Sequence, residues 1–330
     1  MNRQQTGESR NMVSPPEQTG NDWPGMSINV DATPPLVTSP VLNGPGDRPG
    51  PTGTAFGCPR DFRGNSFVYT VISARARGLS VGVNMNPDQQ CNFDCVYCEV
   101  NRSRLPPASR LEVSTMAVEL EQTLESVNSG TIRQRLSYWN VPPELLELRH
   151  VALSGDGEPT LCPNFAEAVE AVIHLRARGR FPYFKLVLIT NASGLARPNV
   201  EEALRLFTPR DEVWVKLDAG TPDYLHQVNR PDCTLEEMLE RILNFARRRP
   251  VVIQSLFPAL KGEGPPAVEV DAYIQQLRHL QERGARISLV QVYSATRPTV
   301  RPECGHLSLR TLSSIAQSVR AATGLAAEVF

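Results

Sequence analysis

The sequence predicts an α/β protein with a parallel sheet, and three observations carry that prediction. From Phe67 onward, short β-branched runs alternate with longer amphipathic ones, six times over. Strict strand–helix alternation belongs to sheets whose strands run in parallel beneath an outer layer of helices. The chain is 330 residues long and 41% hydrophobic, enough to bury a substantial core as one large barrel or as two smaller domains. Polar residues gather at the ends of the strand runs, on the face where such sheets place their chemistry. Two architectures satisfy the pattern, a doubly wound sheet and an open barrel of six βα units, and alternation alone does not choose between them.

Residues 1–55 stand apart from this pattern. Stretches such as DATPPLVTSPVLNGPGDRPGPTG are rich in Pro, Gly, Ser, Thr and Asn and carry no sustained apolar period. Such a segment cannot bury enough apolar surface to offset its ordering entropy, so it is expected to be a disordered leader to a folded domain over 56–330. The first strand is expected at 80–86 (SVGVNMN), followed by a helix over 114–128 with Ser114 as N-cap. The second strand, 149–154 (RHVALS), leads to a helix over 164–178 capped by Asn164. The third, 184–190 (FKLVLIT), precedes a helix at 199–207. The fourth, 212–218 (EVWVKLD), precedes one at 234–249 capped by Thr234. The fifth, 251–257 (VVIQSLF), precedes one at 271–283, running from Asp271 to Gly284. The sixth, 286–293 (RISLVQVY), precedes the last helix, 308–323, between Ser308 and Gly324. Ser114, Asn164, Thr234, Asp271 and Ser308 each carry a side chain able to accept from the free backbone N–H groups of a first turn, and glycine is the residue that tolerates the left-handed step after a last one.

Composition excludes several classes. The formal net charge is −1, so there is no global attraction to nucleic acid, although a local basic pocket stays open. The mean hydropathy is −0.26, and no apolar run approaches the roughly 18–20 residues that span a bilayer. The opening residues, MNRQQTGESRNMVSPPEQTG, lack the apolar centre of a secretory signal. Seven cysteines make an odd count, and three of them fall within eight positions, a poor disulfide framework that fits a reducing cytoplasm better.

Those three lie in NPDQQCNFDCVYCEVNR, at Cys91, Cys95 and Cys98, in the loop after the first expected strand. Soft thiolates at this spacing suit either zinc or an iron–sulfur cluster. Structural zinc asks for four protein ligands, and the nearest downstream histidine is His150. Three ligands on a four-iron cluster leave one iron open to an exogenous ligand. The second expected strand ends in LSGDGEPTL, where glycine permits close backbone approach and Glu158 can pair with an ammonium. A tight turn with a solvated acid is the plainer alternative. Lys216, flanked by Trp214, Val215 and Leu217, is expected either to face the sheet interior or to pair with Asp218 or Glu212.

The Cys-x-x-x-Cys-x-x-Cys motif, with an aromatic residue before its third cysteine, resembles the radical S-adenosylmethionine superfamily. The resemblance implies an open, partial TIM-type (βα)6 barrel. It implies a [4Fe–4S] cluster ligated by Cys91, Cys95 and Cys98, whose open iron chelates the amino and carboxylate groups of S-adenosylmethionine. It further implies an enzyme that cleaves this cofactor reductively to a 5′-deoxyadenosyl radical, which abstracts hydrogen from a substrate, with Tyr97 near the adenine. LSGDGEPTL is similar to the superfamily's Gly-Gly-Glu-Pro signature: Gly157, Glu158 and Pro159 match, Asp156 replaces the first glycine, and contact with the methionine amino group is implied. Asn191, Lys216 and Tyr293 occupy strand ends that in related enzymes contact the cofactor. GLSVGVNMNPDQQCNFDCVYCEVNR together with VQVYSATRPTV narrows the resemblance to stand-alone Fe–S oxidoreductases related to the enzymes that make the wyosine base of tRNA. Those carry a second cluster on three upstream cysteines, whereas only Cys58 precedes Cys91 here, which puts the wyosine reaction in doubt.

The implied partners are a reductant such as flavodoxin or ferredoxin and a substrate that is a small molecule, a peptide or a tRNA, with no membrane. A basic surface at the barrel mouth would favour tRNA; Arg102, Arg104, Arg297 and Arg301 are the residues to watch. A non-catalytic iron–sulfur or zinc module on the same scaffold is the rival reading. Cys162, Cys233 and Cys304 follow alternate strands, so an auxiliary site with His226 or His306 stays open, although isolated cysteines are more often small buried hydrophobes.

Overall fold

The computed structural model describes residues 60–330 apart from Leu105, Pro107, Ala108, Ser109, Leu136 and Pro298; the expected leader and Cys58 lie outside the described residues. In chain order the elements are β1 (Val68–Ser73), β2 (Gly78–Asn84), α1 (Val113–Asn128), β3 (Leu148–Ser154), α2 (Phe165–Ala177), β4 (Lys185–Thr190), α3 (Pro198–Arg205) and β5 (Glu212–Lys216). They continue with α4 (Pro222–Val228), α5 (Leu235–Ala246), β6 (Val251–Leu256), β7 (Ala259–Leu260), α6 (Ala267–Glu282), β8 (Ile287–Tyr293), β9 (Cys304–Gly305), α7 (Leu309–Thr323) and β10 (Ala327–Val329).

One eight-stranded sheet runs β1-β2-β3-β4-β5-β6-β8-β10, and β7 pairs with β9 separately. A doubly wound sheet reverses its strand order at a switch point. Here the order follows the chain without reversal, so every crossover steps the same way and the sheet curls into an open partial barrel. The strands of the six expected βα units are β2, β3, β4, β5, β6 and β8. To these the structure adds β1, antiparallel to β2, and β10, parallel to β8, at the two edges.

Side chains along the parallel strands alternate, as the two-residue period of a strand requires. Val81, Val83, Val151, Leu153, Leu186, Leu188, Val213, Val215, Ile253, Val290 and Val292 belong to the main apolar core with the helices. The intervening positions form a second, smaller cluster of Val187, Trp214 and Val252 with Ile189 and Leu289, and His150 meets Trp214 edge-on at 5.3 Å. The barrel interior is thus plugged at its lower end and turns polar above the plug, where Lys216, Gln254, Gln291 and Tyr293 follow on the same strand faces. A buried ion pair ties the lower end to a helix. Asp211 accepts from Arg176 at 2.7 and 3.1 Å and from the N–H groups of Leu186 and Thr208, both at 2.7 Å.

Several expected boundaries move for identifiable reasons. Helix α1 begins at Val113 because Glu112, not Ser114, accepts from the first-turn N–H groups of Ser114 and Thr115. Asn164 precedes α2 without capping it and donates its amide to the Leu111 carbonyl instead. Asp271 lies inside α6, which starts after Pro266. The earlier turn buries Glu269, which accepts from Gly220 N–H at 2.5 Å and Thr221 Oγ1 at 2.6 Å. Thr234 and Glu237 form a reciprocal capping box on α5, and Ser308 caps α7, which ends on Gly324 in the left-handed region.

Candidate active site

The cysteine loop leaves the C-terminal end of β2 and is sewn onto the end of α4. Asp94 and Val96 donate their backbone N–H groups to the carbonyls of Asn229 and Val228, at 3.0 and 2.8 Å, and Phe93 bridges to Pro231. The Asn229 side-chain amide is directed at three acceptors: Cys95 Sγ at 3.4 Å, the Tyr97 hydroxyl at 2.8 Å and Asp218 Oδ2 at 2.8 Å. Tyr97 in turn donates to Asp218, whose other oxygen accepts from Leu256 N–H at 2.8 Å. Burial, reinforced by the Asp218 charge, holds the Tyr97 phenol well above its ordinary range, so it stays a donor. Each cysteine of the motif receives one N–H: Cys91 from the Phe93 backbone at 3.5 Å, Cys95 from Asn229, and Cys98 from Arg102 Nη1 at 3.6 Å.

The turn after β3 packs directly on this loop. A Cβ at position 157 would sit 1.9 Å from the Gln90 carbonyl oxygen, so only glycine fits, and Glu158 N–H donates to that same oxygen at 2.9 Å. The Glu158 carboxylate is fully engaged by its own chain. It accepts from Thr160 N–H at 3.1 Å, Thr160 Oγ1 at 2.6 Å, Thr190 Oγ1 at 2.5 Å and Asn191 N–H at 2.7 Å. Burial raises its pKa while these donors oppose the shift. Pro159 starts a single 3-10 turn, a position that needs no N–H. Asn191 also donates to Asn92 Oδ1 at 2.9 Å, tying the end of β4 to the cysteine loop. Asp156, the residue standing where the signature has glycine, is held by Asn84 Nδ2 at 2.8 Å and by Arg60 at 2.5 Å.

Cys91, Cys95, Cys98, Tyr97, Gly157, Glu158, Asn191 and Lys216 line one pocket at the C-terminal mouth. Tyr293 lines an adjoining pocket that shares Tyr97, Cys98 and Lys216 with it. Pro159 is buried in the 3-10 turn. The Lys216 ammonium lies 4.7 Å above the Tyr97 ring and makes no ion pair among the described residues; Asp218 is taken by Tyr97 and Asn229, and Glu212 by Lys185 at 2.7 Å. Burial works against its charge, yet Tyr293 and Asp218 keep its pKa above the ordinary lysine range.

Among the described residues Cys162, Cys233 and Cys304 form no metal site with one another or with His226 or His306. Cys162 is buried in the main core, which pushes its thiol up to about 11. Among the described residues no three His, Cys, Asp or Glu side chains are gathered onto a point that a single metal ion could fill. Asn229 and Arg60 are site residues that sequence reasoning missed. Thr221 followed by Pro222 is a cap-plus-first-turn pair that marks the start of α4, but it carries no sign that Asn229 at the other end meets the cysteine loop.

Three soft donors outside any disulfide, each with an N–H aimed at its sulfur and arranged around a pocket rather than on one point, suit a polynuclear cluster in which each thiolate ligates a different iron. Fold and site together define a partial-barrel protein with three thiols lining one pocket at its C-terminal mouth. The chain belongs to the radical SAM superfamily, whose family model matches residues 85–269, more than half of its length. Membership places it in a family that works with S-adenosylmethionine and an iron–sulfur cluster.

A Synechocystis protein of the UPF0026 group is 30% identical over 178 residues, 53% of this chain and 56% of that one. A Methanocaldococcus jannaschii protein of the same group is 28% identical over 182 residues, 54% of this chain and 50% of that one. The chain thus spans about half the length of the curated relatives it matches. Among solved structures, a radical SAM methyltransferase from Sphaerobacter thermophilus has a TM-score of 0.52 at 17% identity, covering 80% of this chain and 68% of that one. SuiB of Streptococcus suis, bound to S-adenosylmethionine, also scores 0.52, at 13% identity, with 74% of this chain and 49% of that one covered. Among the described residues no helix is long and apolar enough to cross a membrane.

Proposed function

We propose that this enzyme uses a [4Fe–4S] cluster on Cys91, Cys95 and Cys98 to begin radical chemistry on a small substrate. The observation that carries the reading is that the three thiols, the Gly157–Glu158 turn and the unpaired Lys216 ammonium line a single pocket. When bound, the reduced cluster supplies an electron and S-adenosylmethionine supplies the 5′-deoxyadenosyl group that takes a hydrogen atom from the substrate. In this reading the bare backbone at Gly157 lets the methionine amino group approach, and Lys216 pairs with the methionine carboxylate. Glu158 fixes the turn through its four accepted bonds, and Asn191 couples that turn to the cysteine loop. Tyr97 and Tyr293 wall the space above the sulfurs. The electron enters from a reductant of the flavodoxin or ferredoxin kind.

Four mouth arginines are neutralised in place, which disfavours a tRNA substrate, while Arg102 and Arg104 make no ion pair among the described residues. Arg297 pairs with Glu99 at 3.0 Å, Arg301 and Arg230 with Asp94, and Arg60 with Asp156.

The test is anaerobic. The cluster is reconstituted and reduced with dithionite, S-adenosylmethionine is added, and 5′-deoxyadenosine is sought by mass spectrometry with Cys95→Ala as control. The expected outcome is product from the wild type alone. Absence of both product and any S-adenosylmethionine-induced change in the EPR signal of the reduced cluster would overturn the reading in favour of an inert module.

A further inference from the structure

Arg75 is a pocket-lining cation with nothing to neutralise it among the described residues. It sits half-buried in the turn between β1 and β2, and its guanidinium carbon lies 4.3 Å from the centroid of the Tyr293 ring. It lines the pocket that Lys216, Tyr97 and Cys98 also line, and among the described residues it makes neither an ion pair nor a hydrogen bond. The other arginines of that pocket are taken, Arg60 by Asp156 and Arg297 by Glu99. Held over the Tyr293 ring, the guanidinium keeps N–H groups with no protein partner among the described residues, and such a fork meets a carboxylate or phosphate with two parallel bonds.

A second, independent signal lies on the floor of the same pocket. Gln254 is fully buried on β6 and donates its amide nitrogen to Gln291 Oε1 at 3.0 Å, while its own Oε1 is buried without a partner. Buried acceptors are nearly always satisfied, and one that lines a cavity points to a donor arriving with a ligand. With Lys216 assigned to the methionine carboxylate, the pocket still offers one free cation and one free acceptor.

We propose that this pocket binds the second substrate as a small organic anion, its carboxylate or phosphate paired with Arg75 and an N–H or O–H group donating to Gln254. The inference rests on the cofactor reading above only in leaving Lys216 to S-adenosylmethionine. With Arg60 and Arg297 paired and Arg75 free in the same pocket, the free charge lies where a small anion that enters whole can reach it.

The experiment uses the reconstituted, S-adenosylmethionine-loaded protein and two probes, L-malate and glycerol 3-phosphate, each an anion with a hydroxyl donor. Binding is measured by anaerobic calorimetry at constant ionic strength. At least one probe is expected to bind the wild type, and which one separates a carboxylate from a phosphate substrate. Arg75→Gln weakens binding about tenfold, while Arg75→Lys, which keeps the charge and loses the fork, recovers part of it. Failure of both probes to bind the wild type, or equal binding by Arg75→Gln, would overturn the proposal. The EPR response of the reduced cluster to S-adenosylmethionine is recorded on the same samples. If that response is present, a negative binding result overturns the anion site alone. If it is absent while anions bind in an Arg75-dependent way, the cofactor reading fails and the anion site stands.

Discussion

At the scale of single residues, the three N–H donors aimed at the cysteine sulfurs matter more than the cysteines' spacing alone suggests. Hydrogen bonds to cluster sulfurs and nearby positive charge favour the reduced, more negative state. Arg102 supplies both, at 3.6 Å from Cys98 Sγ. Arg102→Ala is therefore expected to retain the cluster but to make its midpoint potential more negative, on the order of tens of millivolts. An EPR-monitored redox titration checks this, and an unchanged potential would show that solvent already screens the guanidinium. The cysteines and the Gly157–Glu158 turn were legible in the sequence because each motif is contiguous and sits at a strand end. Asn229 was not, since its partners Cys95, Tyr97 and Asp218 are brought to it only by folding. Glu158 was legible as a site residue, but the destination of its carboxylate, the donors of Thr160, Thr190 and Asn191, depends on how β3 and β4 come together.

At the scale of elements, the hydrophobic period located all six expected βα units and erred mainly at their ends. A period locates the middle of a helix, while its start depends on which side chain reaches the free N–H groups. Glu112 reaches back past Ser114, and Pro266 pre-sets the first turn of α6 ahead of Asp271. The short elements β1, α4 and β10 carry too few residues to display a period. What binds elements together is better seen at Asp211, which joins β4, the turn before β5 and α2 through Arg176. Its carboxylate is wholly buried, and Arg176 holds its pKa below the usual carboxylate range against the cost of burial. Asp211→Ala leaves the Arg176 charge buried without its partner and is expected to cost about 3–5 kcal/mol. Urea unfolding of the apoprotein measures it; a loss near that of an exposed pair would mean that water replaces the carboxylate.

At the scale of the whole molecule, strand alternation left two architectures open, and the sheet order decides between them. That order is set by which crossover packs on which strand, a long-range property that no local pattern records. The interior plug has its own consequence for stability. His150 is buried against Trp214, and burial, helped by the charges of Lys185 and Arg75, lowers its pKa to about 3. The unfolded value is near 6.5, so between those limits the unfolded chain binds a proton that the native one refuses. Stability is therefore undiminished by this group above about pH 6.5 and falls by about 1.4 kcal/mol per unit below it, roughly 2 kcal/mol by pH 5. His150→Phe keeps a ring against Trp214 and removes the titration. Tryptophan-monitored urea unfolding at pH 7 and pH 5 is expected to show a smaller loss in the variant, and equal losses would assign the acid sensitivity to other groups.

The Arg60–Asp156 pair bears on where the folded unit begins. The regular pattern starts at Phe67, which makes that residue the natural point at which to trim the protein for expression. Cutting there would remove Arg60 and strand the Asp156 carboxylate beside Asn84, at the root of the Gly157 turn. The shortest chain that preserves the site therefore begins upstream of Arg60, several residues before the sequence itself starts to look folded.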